Sequence, residues 1–293
     1  MSASAATATA PPLAPEPVRP PLDRRRRWAR GSLLAAALLY LSALLILPLL
    51  GIIWTALSPG WSVVKETFTQ ADVLHALMLT AVITVITVIV TAVFGVIVAW
   101  VLVRQPFRGS GILNALVDLP FALSPVTVGL ACVLLFGRGG WFEWFFSARG
   151  IQVIFALPSM VLVTIFISIP FVIRGVQPVL LEIGTEEEDA ARTLGASVWR
   201  SFRRVTIPNI RWGLLYGVAL SAARAIGEIG AVLVVSGLIQ GKTETATLYI
   251  FRAVEERQTA SGYVVALTLA AVSILLLIGI ESFKRHIERE RKV

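Results

Sequence analysis

Two oppositely charged side chains, Arg224 and Glu228, stand four residues apart inside a long apolar segment. Residues at that spacing lie on one face of an α-helix, so the guanidinium and the carboxylate can form an ion pair. Ionisable groups at bilayer depth cost roughly 3 kcal/mol or more each, so they face protein or water rather than lipid. The pair is therefore a candidate either for lining a polar path or for locking helices together.

A second group of polar residues lies between two apolar stretches, from Thr185 to Gly195. Thr185 and Glu188 have the spacing of a capping box, and the acidic residues beside Glu188 suit the N-terminus of a helix. Gly195 supplies a left-handed stop. These signals predict a helix of two to three turns outside the membrane.

The residues after this helix carry further signals. Ser197 predicts the cap of a second short helix, and Pro208 suits the first turn of the helix that follows. On the first helix Ala190, Ala191 and Leu194 form a narrow, shallow apolar face. Such a face fits a groove on a partner protein. The alternative is an amphipathic helix that lies on lipid headgroups, with nearby arginines binding anionic lipid.

The elements that must hold these residues are membrane-spanning helices. The chain has 293 residues, of which 56% are hydrophobic and 15% charged, a composition outside the range of soluble domains. A spanning helix needs roughly 20 mostly apolar residues. The predicted fold class is all-α, a polytopic membrane protein with about six transmembrane helices. The candidate spans are 33–57, 74–103, 112–136, 153–173, 213–236 and 263–282.

The charge distribution predicts the orientation of the chain. Most of the 26 basic residues lie in the two termini, in the loop near Arg104 and in the polar segment 174–212. Because cationic loops resist translocation, both termini and this segment are predicted to be cytoplasmic, in the cell membrane. The net charge of +8 is then an orientation signal and does not indicate nucleic-acid binding. The predicted domains are a disordered tail, 1–30, a transmembrane domain, 31–283, and a basic tail, 284–293.

The third candidate span contains prolines that interrupt it. Pro120 and Pro125 free backbone carbonyls that must be satisfied by neighbouring helices, hydroxyls or water. Asp118 and Ser124 lie beside them. One hypothesis is a kinked helix near a translocation path, with Asp118, Ser124 and Pro125 as candidate pore-lining residues. The other is a kinked helix of a bundle, with Asp118 near an interface.

Several function classes lack their residues in this sequence. Cys132 is the only cysteine, and the two histidines are far apart, so neither a disulfide within the chain nor a metal site is predicted. The clustered side chains of a membrane enzyme are absent. No internal repeat of the kind that secondary carriers show is apparent. The segment 237–243 is one residue too short for a phosphate-binding P-loop.

The polar segment resembles the EAA loop of ABC importer permeases. That family pattern is Glu-Ala-Ala, three residues, Gly, nine residues, then Ile-x-Leu-Pro. Here Asp189, Ala190 and Ala191 are followed by Gly195 and, at the same spacing, by Val205-x-Ile-Pro208. The resemblance implies a MetI-like type I importer permease fold. It implies that a separate ATPase docks on this loop, whose coupling residues are Glu188, Asp189, Ala190, Ala191, Leu194, Gly195 and Pro208.

The segments 209–218, 223–232 and 235–243 resemble sulfate/thiosulfate importer permeases of the CysW type. The resemblance implies a non-catalytic subunit that forms half of a translocation pore. It implies as partners a homologous second permease, two ABC ATPase subunits and an extracytoplasmic sulfate-binding protein. ATP and Mg would be bound by the ATPase, and no cofactor by this chain. A molybdate or tungstate importer is the alternative function.

Two hypotheses follow for the charged pair in the fifth span. In one, Arg224 attracts a divalent oxyanion in the path and Glu228 holds the arginine in place. In the other, the pair is a structural lock between helices, because a pair that holds one conformation would not readily release a substrate.

Overall fold

The computed structural model describes residues 24–105 and 107–290, and every regular element in those ranges is helical. The observed all-α class matches the prediction. The chain divides into two compact units, Met1–Gly51 and Ile52–Val293. The helices are α1 Arg24–Leu57, α2 Trp61–Thr69, α3 Ala71–Arg104, α4 Ser110–Ala122, α5 Pro125–Phe136, α6 Glu143–Ser147, α7 Leu157–Ile183, α8 Glu186–Thr193, α9 Val198–Ser201, α10 Ile207–Ile226, α11 Gly230–Ser236, α12 Ala246–Glu255 and α13 Thr259–Glu290.

Both end helices extend beyond the predicted transmembrane domain. α1 begins at Arg24, inside the segment predicted to be a disordered tail, of which residues 1–23 lie outside the described residues. α13 continues to Glu290, within the predicted basic tail, and residues 291–293 are again outside the described part. Arginine, lysine and glutamate are good helix formers, so a helix can continue after its apolar stretch has ended.

The predicted spans correspond to four uninterrupted helices and two bent pairs. The uninterrupted ones are Gly31–Leu57, Ala71–Arg104, Leu157–Ile183 and Thr259–Gly279. The pair α4 and α5 is bent by 112°, and the pair formed by Val198–Ile226 and α11 is bent by 53°. The chain is therefore a multi-pass membrane protein, in which the third and fifth predicted spans are interrupted.

The first break was predicted as a kink and is a sharp turn. α4 ends at Ala122, and α5 begins at Pro125, which occupies its first turn. Proline has no N–H to donate, and the residue before it is disfavoured in the helical conformation, so the first turn of a new helix suits it. Pro120, by contrast, is accommodated inside α4.

The second break corrects the prediction of one continuous fifth helix. α10 ends at Ile226 and α11 starts at Gly230, with Glu228 between them. The Glu228 Oε1 atom accepts a hydrogen bond of 2.8 Å from the Ala231 N–H. The Glu228 carbonyl oxygen accepts one of 2.8 Å from the Thr247 hydroxyl. These two backbone groups at the break are thus satisfied, as a low-dielectric environment requires.

The fourth span is longer than predicted. α7 continues to Ile183, so the first ten residues of the predicted loop 174–212 are helical. The loss of apolar character after Ile173 does not end the helix, and Pro170 and Pro178 are accommodated within it. Gly184, with φ +68°, follows the last helical residue and supplies the stop.

The packed centre of the second unit is formed by α3, α7 and α10. Gly175 of α7 lies against Gly213 and Gly217 of α10, so closely that a Cβ atom on Gly175 would be 2.8 Å from the Gly213 carbonyl oxygen. The hydroxyls of Thr91 on α3 and Ser221 on α10 are 3.0 Å apart and hydrogen-bonded. Small residues allow such close approach between membrane helices, where lipid offers no hydrophobic driving force.

A separate buried cluster joins α5, α7 and α11. Cys132 belongs to it, together with Val163 and Val235. Gly129 of α5 touches α11, where an added Cβ would meet the Ala231 carbonyl oxygen at 2.8 Å. The two interrupted spans are therefore packed against each other.

Candidate coupling and translocation sites

The polar segment between α7 and α10 forms two short helices, as predicted. α8 has eight residues, and Gly195 follows it with φ +85°. The Ser197 side chain accepts a hydrogen bond of 3.3 Å from the Arg200 N–H and so caps α9. A π-helical turn, Phe202–Thr206, then leads into α10, where Pro208 occupies the first turn. The predicted stop and cap are confirmed.

The predicted capping box is wrong. The Thr185 side chain makes no cap hydrogen bond. The Glu188 carboxylate instead points inward, where its Oε1 atom accepts bonds from Arg104 Nε at 3.3 Å and from the Thr206 hydroxyl at 2.9 Å. A charged donor makes a stronger hydrogen bond than a backbone N–H, so the tertiary contact prevails over the local one.

The other predicted coupling residues lie on the outside of the polar segment. Leu194 is 88% exposed, the highest value among the large apolar side chains of the described residues. Ala190, Asp189 and Gly195 are exposed too, and Ala191 is half-buried. Asp189 forms a loose surface pair of 3.6 Å with Arg192. The two remaining coupling residues differ in exposure, because Pro208 is exposed on α10, whereas Glu188 is buried.

Arg224 and Glu228 form the ion pair that their spacing predicted, although the helix breaks between them. Arg224 Nη2 and Glu228 Oε2 are 2.6 Å apart. The two side chains differ in exposure, because the arginine is 30% exposed and the glutamate only 2%. The carboxylate is thus fixed at the start of α11, while the guanidinium reaches open space.

The candidate pore-lining residues occupy two different places. Pro125, at the first break, contacts the second break, where a Cβ on Gly230 would be 2.9 Å from the Pro125 Cβ. Ser124 is exposed and immediately precedes α5. Asp118 lies on α4, and its Oδ1 accepts a hydrogen bond of 2.9 Å from Arg174 Nε. Of the three, Pro125 joins the two breaks, Ser124 lies at the first break, and Asp118 joins α4 to α7.

Besides the surface pair of Arg192, three arginines in ion pairs were missed by sequence reasoning. Arg104 and Arg174 pair with acidic residues that are distant along the chain, so no local spacing identifies them. Arg252 pairs with Glu244, which is 1% exposed, at 2.6 Å, and this hydrogen bond is the main cause that raises the pKa of Arg252 above its ordinary value. Within the described part of the chain no group of three or more potential metal ligands occurs.

Comparison with known proteins identifies the family. Residues 91–293 match the family described as binding-protein-dependent transport system inner membrane component. The sulfate transport system permease protein CysW of Synechocystis is 46% identical over 246 residues, which cover 84% of this chain and 89% of the relative. The sulfate transport system permease protein CysT of Escherichia coli K12 is 37% identical over 256 residues, covering 87% and 92%.

Solved structures share the fold. A bacterial ABC transporter involved in the import of the acidic polysaccharide alginate matches 90% of this chain and 97% of its own, with a TM-score of 0.75 at 16% identity. A structure of the alginate transporter in complex with an alginate pentasaccharide-bound periplasmic protein gives a TM-score of 0.73, covering 90% and 96%. The fold is that of type I ABC importer permeases. The chain therefore belongs to the family of binding-protein-dependent transport system inner membrane components, alongside the sulfate permeases of the CysW type.

Proposed function

We propose that this chain is one permease subunit of an ATP-driven importer for sulfate or thiosulfate. The observation that carries the proposal is its 46% identity, over most of its length, to a sulfate transport system permease. None of the relatives named above favours the molybdate or tungstate alternative. The chain itself would bind neither ATP nor Mg, which belong to a separate ATPase.

The partners follow from the same relatives. Similarity to both CysW and CysT proteins supports a pore formed by two homologous permeases, of which this chain supplies half. The alginate transporter is seen in complex with a periplasmic protein that carries an alginate pentasaccharide, which supports an extracytoplasmic sulfate-binding partner here. Two ATPase subunits would complete the assembly. The basic residues near α8 and both termini support a cytoplasmic position for them.

The exposed face of α8 is the docking site in this proposal. Leu194 and Ala190 present a shallow apolar surface to water. Exposure of such a surface is unfavourable, and a groove on an ATPase would bury it. Closure of the ATPases would move α8, and the spans would alternate between states open to one side and to the other.

Arg224 and Glu228 have different roles in the proposed translocation path. Glu228 is buried and bonded to the backbone of α11, so it acts as the structural part of the pair. The guanidinium of Arg224 is partly exposed and attracts the divalent oxyanion as it passes the breaks. Transient binding of this kind suits conduction, because the anion must also leave.

Uptake of radiolabelled sulfate tests the substrate. Deletion of the gene for this chain should abolish uptake and growth on sulfate as sole sulfur source, and the intact gene should restore both. Excess unlabelled thiosulfate should compete with sulfate, whereas molybdate should not. Unchanged sulfate uptake after deletion, in a strain without a second sulfate importer, would overturn the proposal.

Two substitutions test the roles within the chain. Ala190→Trp should abolish accumulation, because the bulky ring blocks docking, while Leu181→Trp, at an exposed position on α7, should not. Arg224→Gln should abolish uptake and leave stimulation of the ATPase by the loaded binding protein intact, and Arg224→Lys should retain part of the uptake. Loss of assembly in Arg224→Gln would assign the pair to a lock.

A further inference from the structure

The last residue of α3 meets the first turns of α8 in a buried ion pair. Arg104 Nε and Glu188 Oε1 are 3.3 Å apart, and the side chains are only 6% and 7% exposed. The two residues are 84 positions apart in the sequence. A buried pair is strongly destabilised when one partner is lost, because an uncompensated charge remains. The contact therefore holds one arrangement of α8 relative to α3.

The same cluster reaches the ends of two other spans. Arg104 Nη2 also donates a hydrogen bond to the Gly184 carbonyl oxygen, directly after α7. Glu188 accepts from the Thr206 hydroxyl at the entrance to α10. One turn away, the Asn209 amide of α10 donates to the Glu187 carboxylate. α8 is thus tied to α3, α7 and α10 together.

Without these side-chain hydrogen bonds, α8 would be held by its connecting turns and by its packing against the π-helical turn and α9. Those turns contain Gly184 with φ +68° and Gly195 with φ +85°, residues that carry no side chain to restrict their backbone. A displacement of α8 could then be absorbed in the turns. With the cluster in place, a displacement of α8 is transmitted to α3, α7 and α10, which pack closely at Gly175 and Ser221.

We propose that Arg104 and Glu188 are positioning residues that make α8 and the helices α3, α7 and α10 move as one body. This inference rests on the proposed function, in which α8 receives the force of the ATPase. Glu188 is thereby assigned to the inner side of α8, and no longer to the docking surface. It also gives Arg104 a role in coupling that its position at the end of a span did not suggest.

The test uses the complete transporter, reconstituted in liposomes with its second permease, its ATPase and its binding protein. Arg104→Gln, Glu188→Gln and the double variant are compared with Glu182→Gln, which makes the same change at an exposed carboxylate of α7, outside the docking helix. Two quantities are measured: the stimulation of ATP hydrolysis by sulfate-loaded binding protein, and the thermal midpoint of the assembly. Each single variant should lower the stimulation about tenfold, within the usual range of coupling between sites.

The double variant separates coupling from stability. It leaves no buried charge, so its thermal midpoint should return towards that of the wild type. Its stimulation should stay low, because the amides do not replace the ionic joint. Recovery of both quantities in the double variant, or stimulation in Glu188→Gln equal to that in Glu182→Gln, would overturn the inference. A wild-type assembly that sulfate-loaded binding protein does not stimulate would instead count against the proposed function.

Discussion

The chain contains two arginine–glutamate pairs whose surroundings differ. Arg224 and Glu228, at the break of the fifth span, are four residues apart, with a buried carboxylate and a guanidinium that is 30% exposed. Arg104 and Glu188, at the base of α8, come from distant parts of the chain and are both less than a tenth exposed. The first pair has one open side that an anion can reach. The second is closed on both sides, as the proposed joint requires.

The largest expected effect is on stability at the α8 joint. Arg104→Ala and Glu188→Ala should each cost about 3–5 kcal/mol, because each leaves a buried charge without its partner. The losses of stability in the two variants should be similar, since both side chains are equally buried. Denaturation of the purified chain in detergent measures them. A loss confined to one of the two variants would contradict the description of a closed joint.

The pair in the fifth span should respond unequally. Arg224→Ala leaves the buried Glu228 carboxylate uncompensated and should cost about 3 kcal/mol. Glu228→Ala leaves an arginine that can reach water, and its cost should be about 1 kcal/mol, chiefly from the lost cap of α11. The same denaturation experiment measures both. Equal losses would mean that the arginine is as enclosed as the glutamate, and would remove the distinction between the two pairs.

A smaller effect is expected where α4 is joined to α7. Asp118 and Arg174 form a two-bond pair, but their side chains are 50% and 33% exposed. Asp118→Asn should therefore cost about 1 kcal/mol, at the upper end for exposed pairs with good geometry. A cost near that of the α8 joint in the complete transporter, but not in the free chain, would show that a partner buries this pair in the assembly. Comparing the free chain with the complete transporter distinguishes the two cases.

The smallest effect provides the baseline. Asp189 and Arg192 on α8 are 3.6 Å apart and about half exposed. Asp189→Asn should change the stability of the purified chain by less than about 1 kcal/mol, because solvent and salt screen such pairs. Any reduction in ATPase stimulation by this variant would then report on docking. A large loss of stability would contradict its surface position.

Local signals in the sequence were sufficient for one pair and not for the other. Arg224 and Glu228 could be matched from a spacing of four residues, and Gly195, Ser197 and Pro208 marked the short helices correctly. Glu188 was assigned to a capping box because Thr185 stood three residues before it. The competing partner, Arg104, was 84 residues away, and only the folded chain brings it close.

The limits of the helices show the same division. Apolar length located the spans, and the resemblance to importer permeases indicated the fold. Neither showed that α7 continues to Ile183 or that α10 ends at Ile226. The second break depends on Ala231 and Thr247 bonding to Glu228, and Thr247 comes from the following segment. Helix ends that tertiary hydrogen bonds determine are not readable from hydropathy.

The buried position of Cys132 has a practical consequence. It is the sole thiol of the chain and is 7% exposed within the cluster on α5. One substitution of similar volume, Cys132→Ala, would give a background free of sulfhydryl groups. Single cysteines introduced at exposed positions such as Leu181 and Trp199 would then be unique attachment points for spectroscopic probes. Distances between such labels could follow the polar segment and the spans through the ATP cycle of the proposed transporter.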